Sequence, residues 1–129
     1  GFTYCPDICP TTLMTLISIQ DHLAAQGKVA GHLQILFVTV DPERDTPAQL
    51  NAYLSLFDTS VTGLTGARAD IESALRHFGV YAEKNRDGDE YLYEHSAAVY
   101  LYRQDGRFKG TIVHNEPYEY MVEKIKSIL

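Results

Sequence analysis

The sequence predicts one α/β domain, and three observations carry this prediction. The chain has 129 residues, the length of one compact domain that buries about two-thirds of its unfolded surface. Residues 33–40 form an almost wholly apolar, β-branched run, which suits a strand covered on both faces. Apolar residues recur at helical spacing on either side of that run. A hydrophobic content of 45% and a charged content of 22% are those of an ordinary globular domain.

The charge balance disfavours two broad classes of partner. There are 11 basic and 17 acidic residues, which leave a net charge of -6. Phosphate repulsion would oppose wrapping of nucleic acid, and no basic patch is evident for a lipid surface. No apolar run approaches the roughly 20 residues needed to span a bilayer, and no signal-peptide pattern is recognisable at Gly1.

The first predicted helix follows a cysteine pair. Pro10 suits the first turn of a helix, where its missing N–H costs nothing. Gly27 is a reasonable stop for this helix. The strand of residues 33–40 follows and ends at the charged turn Asp41–Asp45. The apolar stripe of the helix consists of Leu13, Leu16, Ile17, Leu23 and Ala24.

The second half of the chain opens with a strong helix start. Thr46 can cap this helix, Pro47 takes its first position, and Gln49 completes a capping box. The helix is expected to run to Phe57. The remaining predicted elements are a loop with Gly63 and Gly66, a helix through Ile71, Leu75 and Phe78 stopped by Gly79, a short strand over 80–82, a polar loop or hairpin over 83–94, a hairpin of Ala97–Tyr102 with Phe108–Val113, and a helix from about Pro117 to Ile128.

This order of elements predicts a thioredoxin-like α/β fold, with a mixed central sheet flanked by helices. In such a fold a strand precedes the cysteine motif, and only Gly1–Tyr4 remain of it here. We therefore expect residues 1–129 to be a single domain from which most of the first strand is missing.

The two cysteines, Cys5 and Cys9, are the most informative residues of the chain. They stand one helical turn apart, ahead of the regular helix, where the helix dipole is expected to favour the thiolate. A thiolate both attacks disulfides and binds metals. The Cys-x-x-x-Cys spacing permits a structural disulfide, a redox-active dithiol or two sulfur ligands of one ion.

One histidine is placed to complete a metal site. His95 directly precedes the predicted strand Ala97–Tyr102, which thioredoxin-type topology brings beside the start of the cysteine-bearing helix. Two thiolates and one imidazole suit Cu(I), and Cu(II) with an added weak axial ligand. Structural zinc usually takes four protein ligands, so zinc is the second choice. The other histidines are expected at exposed positions: His22, His32, His77 and His114.

Three stretches together resemble the Sco/SenC family of copper proteins. Gly1–Leu13, which reads GFTYCPDICPTTL, is similar to the first signature of that family. Val38–Pro47, which reads VTVDPERDTP, resembles the second. Glu94–Ala97, which reads EHSA, matches the place of the family's histidine ligand.

The resemblance implies copper ligands at Cys5, Cys9 and His95, with Cys5 and Cys9 also acting as a redox-active dithiol. It implies an extracytoplasmic domain tethered by an N-terminal membrane helix that is absent from this chain. A bacterial periplasm is the expected compartment, with the mitochondrial intermembrane space as the alternative.

Two functions follow as hypotheses. In the first, the protein is a copper metallochaperone that receives copper from a donor protein and delivers it to the dinuclear copper centre of cytochrome c oxidase, in subunit II, or to another copper-accepting protein. In that reaction no bond of a small substrate breaks. In the second, it is a thiol–disulfide oxidoreductase that reduces the cysteines of a partner, an activity that Cys5 and Cys9 would carry.

Two charged segments lie near the predicted site. The Asp41–Asp45 loop could contact a partner, or Arg44 could bridge carboxylates. The acidic segment before His95 could guide a basic partner or a cation, although a solvated and mobile loop is the commoner case. Its acidic residues are Glu83, Asp87, Asp89, Glu90 and Glu94.

Overall fold

The structure, a computed structural model, describes residues 1–28, 32–57, 60–87 and 90–129. Helices and strands alternate through the first half of the chain, and two hairpins and a helix follow, which is the predicted order with one additional strand, Val61–Leu64. The elements are α1 (Ile8–Ala25), β1 (Ile35–Val38), α2 (Pro47–Leu54), β2 (Val61–Leu64), α3 (Arg68–Phe78), β3 (Ala82–Asp87), β4 (Glu90–His95), β5 (Ala98–Tyr102), β6 (Phe108–Val113) and α4 (Tyr118–Lys126).

The backbone separates into two compact units. The first unit consists of Gly1–Met14 and Gln34–Ser96, and the second of Thr15–Leu33 and Ala97–Leu129. Helix α1 contributes its first turns to the first unit and its remaining turns to the second.

A parallel strand pair forms the base of the first unit. Strands β1 and β2 run parallel, with Ile35 opposite Val61. Helix α2 packs on β2 through Leu50 and Leu54, both of which are buried. The contact is close at Gly63, where a Cβ atom would lie 2.8 Å from Cδ1 of Leu54. A glycine at this position therefore lets the helix approach the strand.

Strand β2 is the element that the sequence analysis missed. We expected a loop through Gly63, and this expectation is wrong for Val61–Leu64. The strand has only four residues, one of them glycine, so it lacks the alternation that identifies strands. The other boundary differences are small: β1 is shorter than residues 33–40, and α2 ends at Leu54 rather than Phe57.

Gly1 pairs with β1 on its backbone. Its nitrogen donates to the carbonyl of Val38 (3.0 Å), and its own carbonyl accepts from the N–H of Val40 (2.8 Å). This is the pattern of a residue in a parallel strand opposite Thr39. The pattern agrees with the expectation that the segment before the cysteines belongs to the sheet.

The polar segment before His95 is a hairpin rather than a loop. Strands β3 and β4 are antiparallel, and Ala82 lies opposite His95. The expected short strand over 80–82 is instead the beginning of β3 at Ala82. Glu83, Glu90 and Glu94 are exposed, as expected for a solvated acidic segment. The side chain of Asp87 and all of Asp89 lie outside the described part of the chain.

The second unit has its own apolar core. The β5–β6 hairpin is confirmed as predicted, and the turn places Gly106 at a φ of 85°, which favours glycine. Helix α4 is anchored to β6 by the Lys124 ammonium, which donates to the Thr111 carbonyl at 2.9 Å. The buried residues of this core are Ile19, Leu23, Leu101, Ile112, Val122 and Ile125.

Two helix ends bear on the sequence predictions. Helix α1 begins at Ile8 rather than Pro10, so Cys9 is its second residue. Helix α3 ends as predicted, because Gly79 takes a left-handed conformation with a φ of 66°. Among the described helices, none has the combination of length and apolar character needed to cross a membrane.

Candidate metal centre

The two cysteines are held at the start of α1 with different exposure. The N–H of Cys5 donates to the carbonyl of Phe2 at 3.1 Å, which turns the chain into the helix. Cys5 is half-buried, whereas Cys9 is only 5% exposed. Both are free thiols, so the structure is that of the reduced pair.

His95 ends strand β4 and faces the buried thiol. Its Nε2 lies 3.5 Å from Sγ of Cys9. Its Nδ1 lies 2.9 Å from the carbonyl oxygen of Ser96. Because a carbonyl only accepts, Nδ1 carries the proton, and the lone pair of Nε2 points to the thiol. The tautomer is therefore the one that leaves Nε2 free to bind a metal.

The three donor atoms are close enough to bind one ion. The ligand atoms of Cys5, Cys9 and His95 all lie within 4.8 Å of one another. Metal–sulfur and metal–nitrogen bonds of about 2.0–2.3 Å place donor atoms roughly 3.5–4 Å apart, so little movement is needed. Two thiolates and an imidazole are a soft donor set, which suits copper better than a hard cation. The structure thus brings together all three residues that the sequence analysis singled out.

Burial favours the neutral forms of Cys9 and His95 in the absence of a metal. Loss of hydration, together with the hydrogen bond that the protonated Cys9 thiol makes to Cys5, raises the pKa of the Cys9 thiol to about 11. Burial also lowers the pKa of His95. The expectation that the helix start would favour a thiolate is wrong for Cys9, because burial favours the protonated thiol there. A metal ion would supply the positive charge that the thiolate needs.

Aromatic rings and a glycine surround the site. The buried Phe2 ring lies edge-to-face with the His95 ring, with centroids 5.7 Å apart. A Cβ atom at Gly1 would lie 3.0 Å from Sγ of Cys9 and 2.8 Å from the Phe37 ring. The absence of a side chain at Gly1 therefore leaves room for Cys9 beside Phe37.

A buried carboxylate fixes the segment that leads into the cysteines. Asp45 is fully buried, and its carboxylate accepts from the N–H (3.0 Å) and hydroxyl (2.6 Å) of Thr3. It also accepts from the hydroxyl of Thr39 at 2.6 Å. Gln49 donates to the Thr3 hydroxyl at 3.1 Å. This role of Asp45 was not predicted from the sequence, because only the fold brings residue 3 to residue 45.

Arg44 links the loop after β1 to the hairpin that carries His95. It forms an ion pair with the carboxylate of the buried Asp41. Its guanidinium also contacts two aromatic rings, 4.3 Å from the centroid of Tyr4 and 3.7 Å from that of Tyr91. The arginine is therefore held by both charge and stacking.

The other histidines do not belong to the group of potential metal ligands that the described residues form. All are exposed, as expected, and in the described part of the chain the only group of potential metal ligands is the triad. His22 contacts Gln26, just after the end of α1, and His77 contacts the neighbouring ring of Phe78. The remaining exposed histidines are His32 and His114.

The chain has a thioredoxin-like fold in which two cysteines at the start of a helix meet one histidine. These features are those of a metal-binding protein with a thiol-based site. The chain belongs to the SCO1/SenC family, whose model matches residues 1–129. The fold and the family that the sequence predicted are therefore confirmed.

Similar proteins come from both eukaryotes and bacteria. The chain is 42% identical over 111 residues to the mitochondrial SCO2 homolog of Danio rerio, covering 84% of this chain and 39% of that relative. The structure of Bradyrhizobium japonicum ScoI with copper bound is similar with a TM-score of 0.86 and 39% identity, covering 100% of this chain and 81% of that one. Copper-bound yeast Sco1 has a TM-score of 0.87 and 37% identity, with 98% and 71% covered. The chain thus spans well under half of the Danio rerio relative.

Proposed function

We propose that this chain is the copper-binding domain of a copper metallochaperone, with Cys5, Cys9 and His95 as the ligands. The observation that carries the proposal is the convergence of two sulfur atoms and one imidazole nitrogen within 4.8 Å. The donor set suits Cu(I), and also Cu(II) with an added weak axial ligand. The copper-bound structures of related proteins support copper as the ion.

The cargo would leave by ligand exchange with a recipient protein. A three-ligand site keeps coordination positions open, so a ligand of the recipient can bind the ion before Cys5, Cys9 or His95 dissociates from it. The recipient we propose is the dinuclear copper centre of cytochrome c oxidase, in subunit II, and a separate donor protein would load the site. This choice is supported by the resemblance of the two signatures and the histidine segment to the family.

We place the domain outside the cytoplasm, tethered to the inner membrane of a bacterium and facing the periplasm. The similarity to a bacterial ScoI supports this choice. The intermembrane space of mitochondria is the alternative, supported by the mitochondrial relatives.

A second function, thiol–disulfide exchange, is favoured by the free thiols one helical turn apart. The Cys5 thiolate would attack a partner disulfide and form a mixed disulfide, and Cys9 would then displace the partner thiol. Two electrons and two protons pass to the partner, and a Cys5–Cys9 disulfide remains. The oxidised pair offers no thiolate, so copper binding and this exchange exclude each other on one molecule.

Metal analysis of the reduced protein tests the proposed copper site. We expect one copper per chain and a thiolate-to-Cu(II) charge-transfer band that disappears in Cys5→Ser and Cys9→Ser. His77→Ala, which changes an exposed histidine, is the matched control and should keep the band.

Two results would decide between the functions. An unchanged band in both cysteine variants would overturn the ligand assignment. Absence of bound metal, together with turnover of a disulfide substrate and a thioredoxin-like reduction potential, would favour thiol–disulfide exchange.

A further inference from the structure

The position of the His95 ring relative to the cysteines is not set by its own local bonds. Its Nδ1 donates to the carbonyl of the next residue, Ser96, and its backbone pairs with Ala82 across the hairpin. The N–H of Ser96 donates to the carbonyl of Tyr81, again beside the hairpin. These bonds fix the ring to the hairpin. Its distance from Cys9 therefore depends on what fixes the β3–β4 hairpin to the rest of the first unit.

The first attachment joins Arg44 to Tyr91. The Arg44 guanidinium stacks on the Tyr91 ring, and its Nη1 donates to the Tyr91 carbonyl at 2.9 Å. The Tyr91 hydroxyl donates to the buried carboxylate of Asp41 at 3.2 Å. The guanidinium also lies over the ring of Tyr4, the residue before Cys5. One arginine thus joins the hairpin to the segment that carries the first thiol.

The second attachment joins Arg68 to Tyr93. Nη2 of Arg68 donates to the Tyr93 hydroxyl at 2.9 Å. The arginine is held in turn by Glu43, with Nε 2.9 Å from its carboxylate, and by the carbonyl of Val40. The Tyr93 ring lies edge-to-face with Phe2, 5.9 Å between centroids, and Phe2 lies edge-to-face with His95. A continuous set of contacts therefore runs from Arg68 to the imidazole.

Both tyrosines lie on the same face of the hairpin as His95. Tyr91, Tyr93 and His95 alternate along β4 and are the half-buried residues of that strand. The two arginines therefore restrain the face of the strand that presents the imidazole. A lysine would not replace either of them, because only the planar guanidinium stacks on a ring and donates several hydrogen bonds in one plane.

We propose that Arg44 and Arg68 are positioning residues for metal binding, because they hold Tyr91 and Tyr93, and with them the His95 imidazole, against the cysteine pair. This inference rests on the proposed ligand set. Without the attachments, the two thiolates would still bind an ion, and the histidine would be the ligand that is lost. The consequence would be greater for Cu(II), which takes additional nitrogen ligands, than for Cu(I), which thiolates alone retain.

The first test uses the copper-free, reduced protein. In the unchanged chain, NMR should record close contacts between the ring protons of Phe2 and His95. We expect these contacts to be lost in Arg44→Gln and Arg68→Gln. They should persist in Arg76→Gln, which changes an exposed arginine on the same helix as Arg68. Retention of the ring contacts in both test variants would overturn the proposal without involving any metal.

The second test measures copper binding. Outer-sphere changes commonly weaken metal binding by about 10–100-fold, so we expect at least about a tenfold loss of Cu(II) affinity in Arg44→Gln and in Arg68→Gln. Cu(I) affinity should fall by less than about threefold, since both thiolates remain. The Cu(II) electron paramagnetic resonance spectrum should change towards that of His95→Ala.

A double-mutant cycle separates positioning from a general loss of structure. If the arginines act through His95, adding Arg44→Gln to His95→Ala should cost no further Cu(II) affinity beyond about twofold. Fully additive losses would contradict the proposal. If His95→Ala itself leaves Cu(II) binding unchanged, the proposed ligand set fails. If His95→Ala weakens binding and the arginine variants do not, only the positioning role fails.

A milder variant covers the case in which an arginine variant does not fold. Tyr93→Phe removes one hydroxyl, and with it the bond to Arg68, but keeps the ring against Phe2. We expect this variant to unfold cooperatively and to lose Cu(II) affinity in the same direction as Arg68→Gln. An unchanged Cu(II) affinity and spectrum in folded Tyr93→Phe would count against the Arg68 attachment.

Discussion

Sγ of Cys9 lies 3.5 Å from Nε2 of His95, although 86 positions of the chain separate the two residues. The thiol belongs to the first turn of α1, and the imidazole to the end of β4. Two independent parts of the first unit therefore meet at this contact. Because the cysteines and the histidine belong to different elements, removal of one ligand should leave the chemistry of the others open to separate measurement.

Removal of the imidazole should weaken metal binding and spare the thiol chemistry. We expect His95→Ala to lower Cu(II) affinity by at least about tenfold, while formation of the Cys5–Cys9 disulfide stays intact. Competitive copper titration measures the first effect, and mass spectrometry after oxidation measures the second. His77→Ala should change neither. An unchanged affinity in His95→Ala would remove this residue from the ligand set.

The metal-free protein should lose stability in mildly alkaline solution. The folded pKa of Cys9 is about 11, above the ordinary value of 9.0, so the folded state retains a proton that the unfolded chain releases. The protonated Cys9 thiol makes its full contribution to the free energy of unfolding below about pH 9. This contribution is lost as the pH rises towards about 11, and about 1 kcal/mol is lost by about pH 10. Urea unfolding under reducing conditions between pH 8 and about pH 10 measures it.

Cys9→Ala is the control for this pH dependence. It should flatten the decline between about pH 9 and pH 10, whatever its effect on the absolute stability. Burial raises the pKa of Tyr53 to about 12, so this phenol acts in the same direction only at higher pH. A decline of equal size in Cys9→Ala would assign the effect to another group.

Loss of the Asp45 carboxylate should destabilise the first unit. Asp45→Ala leaves the buried hydroxyl of Thr39 and the N–H of Thr3 without their acceptor, so we expect a loss of about 2–4 kcal/mol. Asp45→Asn, which keeps one acceptor oxygen, should lose less. Asp105→Asn changes an exposed carboxylate in the β5–β6 turn and should stay within about 0.5 kcal/mol. Chemical unfolding of the three variants measures the order, and equal stabilities would contradict it.

A single methyl group at Gly63 should disturb the packing of α2 on β2. The added Cβ of Gly63→Ala would lie 2.8 Å from Cδ1 of Leu54, so we expect a loss of about 1–3 kcal/mol from overpacking. Gly110→Ala is the matched control, since Gly110 also lies in a strand but has no atom within 4 Å of the added Cβ. Thermal unfolding compares the two variants. A Gly110→Ala loss as large as that of Gly63→Ala would argue against overpacking.

The elements that the sequence predicted well are those with local signals. Helix α2 has Thr46 as its cap, with the side chain accepting from the N–H of Gln49, and α3 ends at a left-handed Gly79. Strand β2 has no such signal. Its Gly63 leaves room for the side chain of Leu54, and glycine does not favour a strand. Hairpin β3–β4 is polar and largely exposed, so its sequence was compatible with either a hairpin or a loop.

For the site, the cysteine spacing was informative because it is local, whereas the choice of His95 needed the predicted topology and the resemblance of Glu94–Ala97 to the family. The protonation of Cys9 was predicted wrongly, since helix position can be read from sequence and burial of one thiol cannot. The structural role of Asp45 was not predicted, for a related reason. A carboxylate in a charged turn usually faces solvent, and only the fold turns this one inward, towards Thr3 and Thr39.

Cys5 is more exposed to solvent than Cys9, so the two thiols differ in accessibility. A reagent or protein that approaches from solvent reaches the half-buried sulfur of Cys5 before that of Cys9, which is 5% exposed. An alkylating agent should therefore modify Cys5 first. Under the proposed function, the ion reaches the site and leaves it on the side of Cys5, and Cys9 is the last thiolate to dissociate from it.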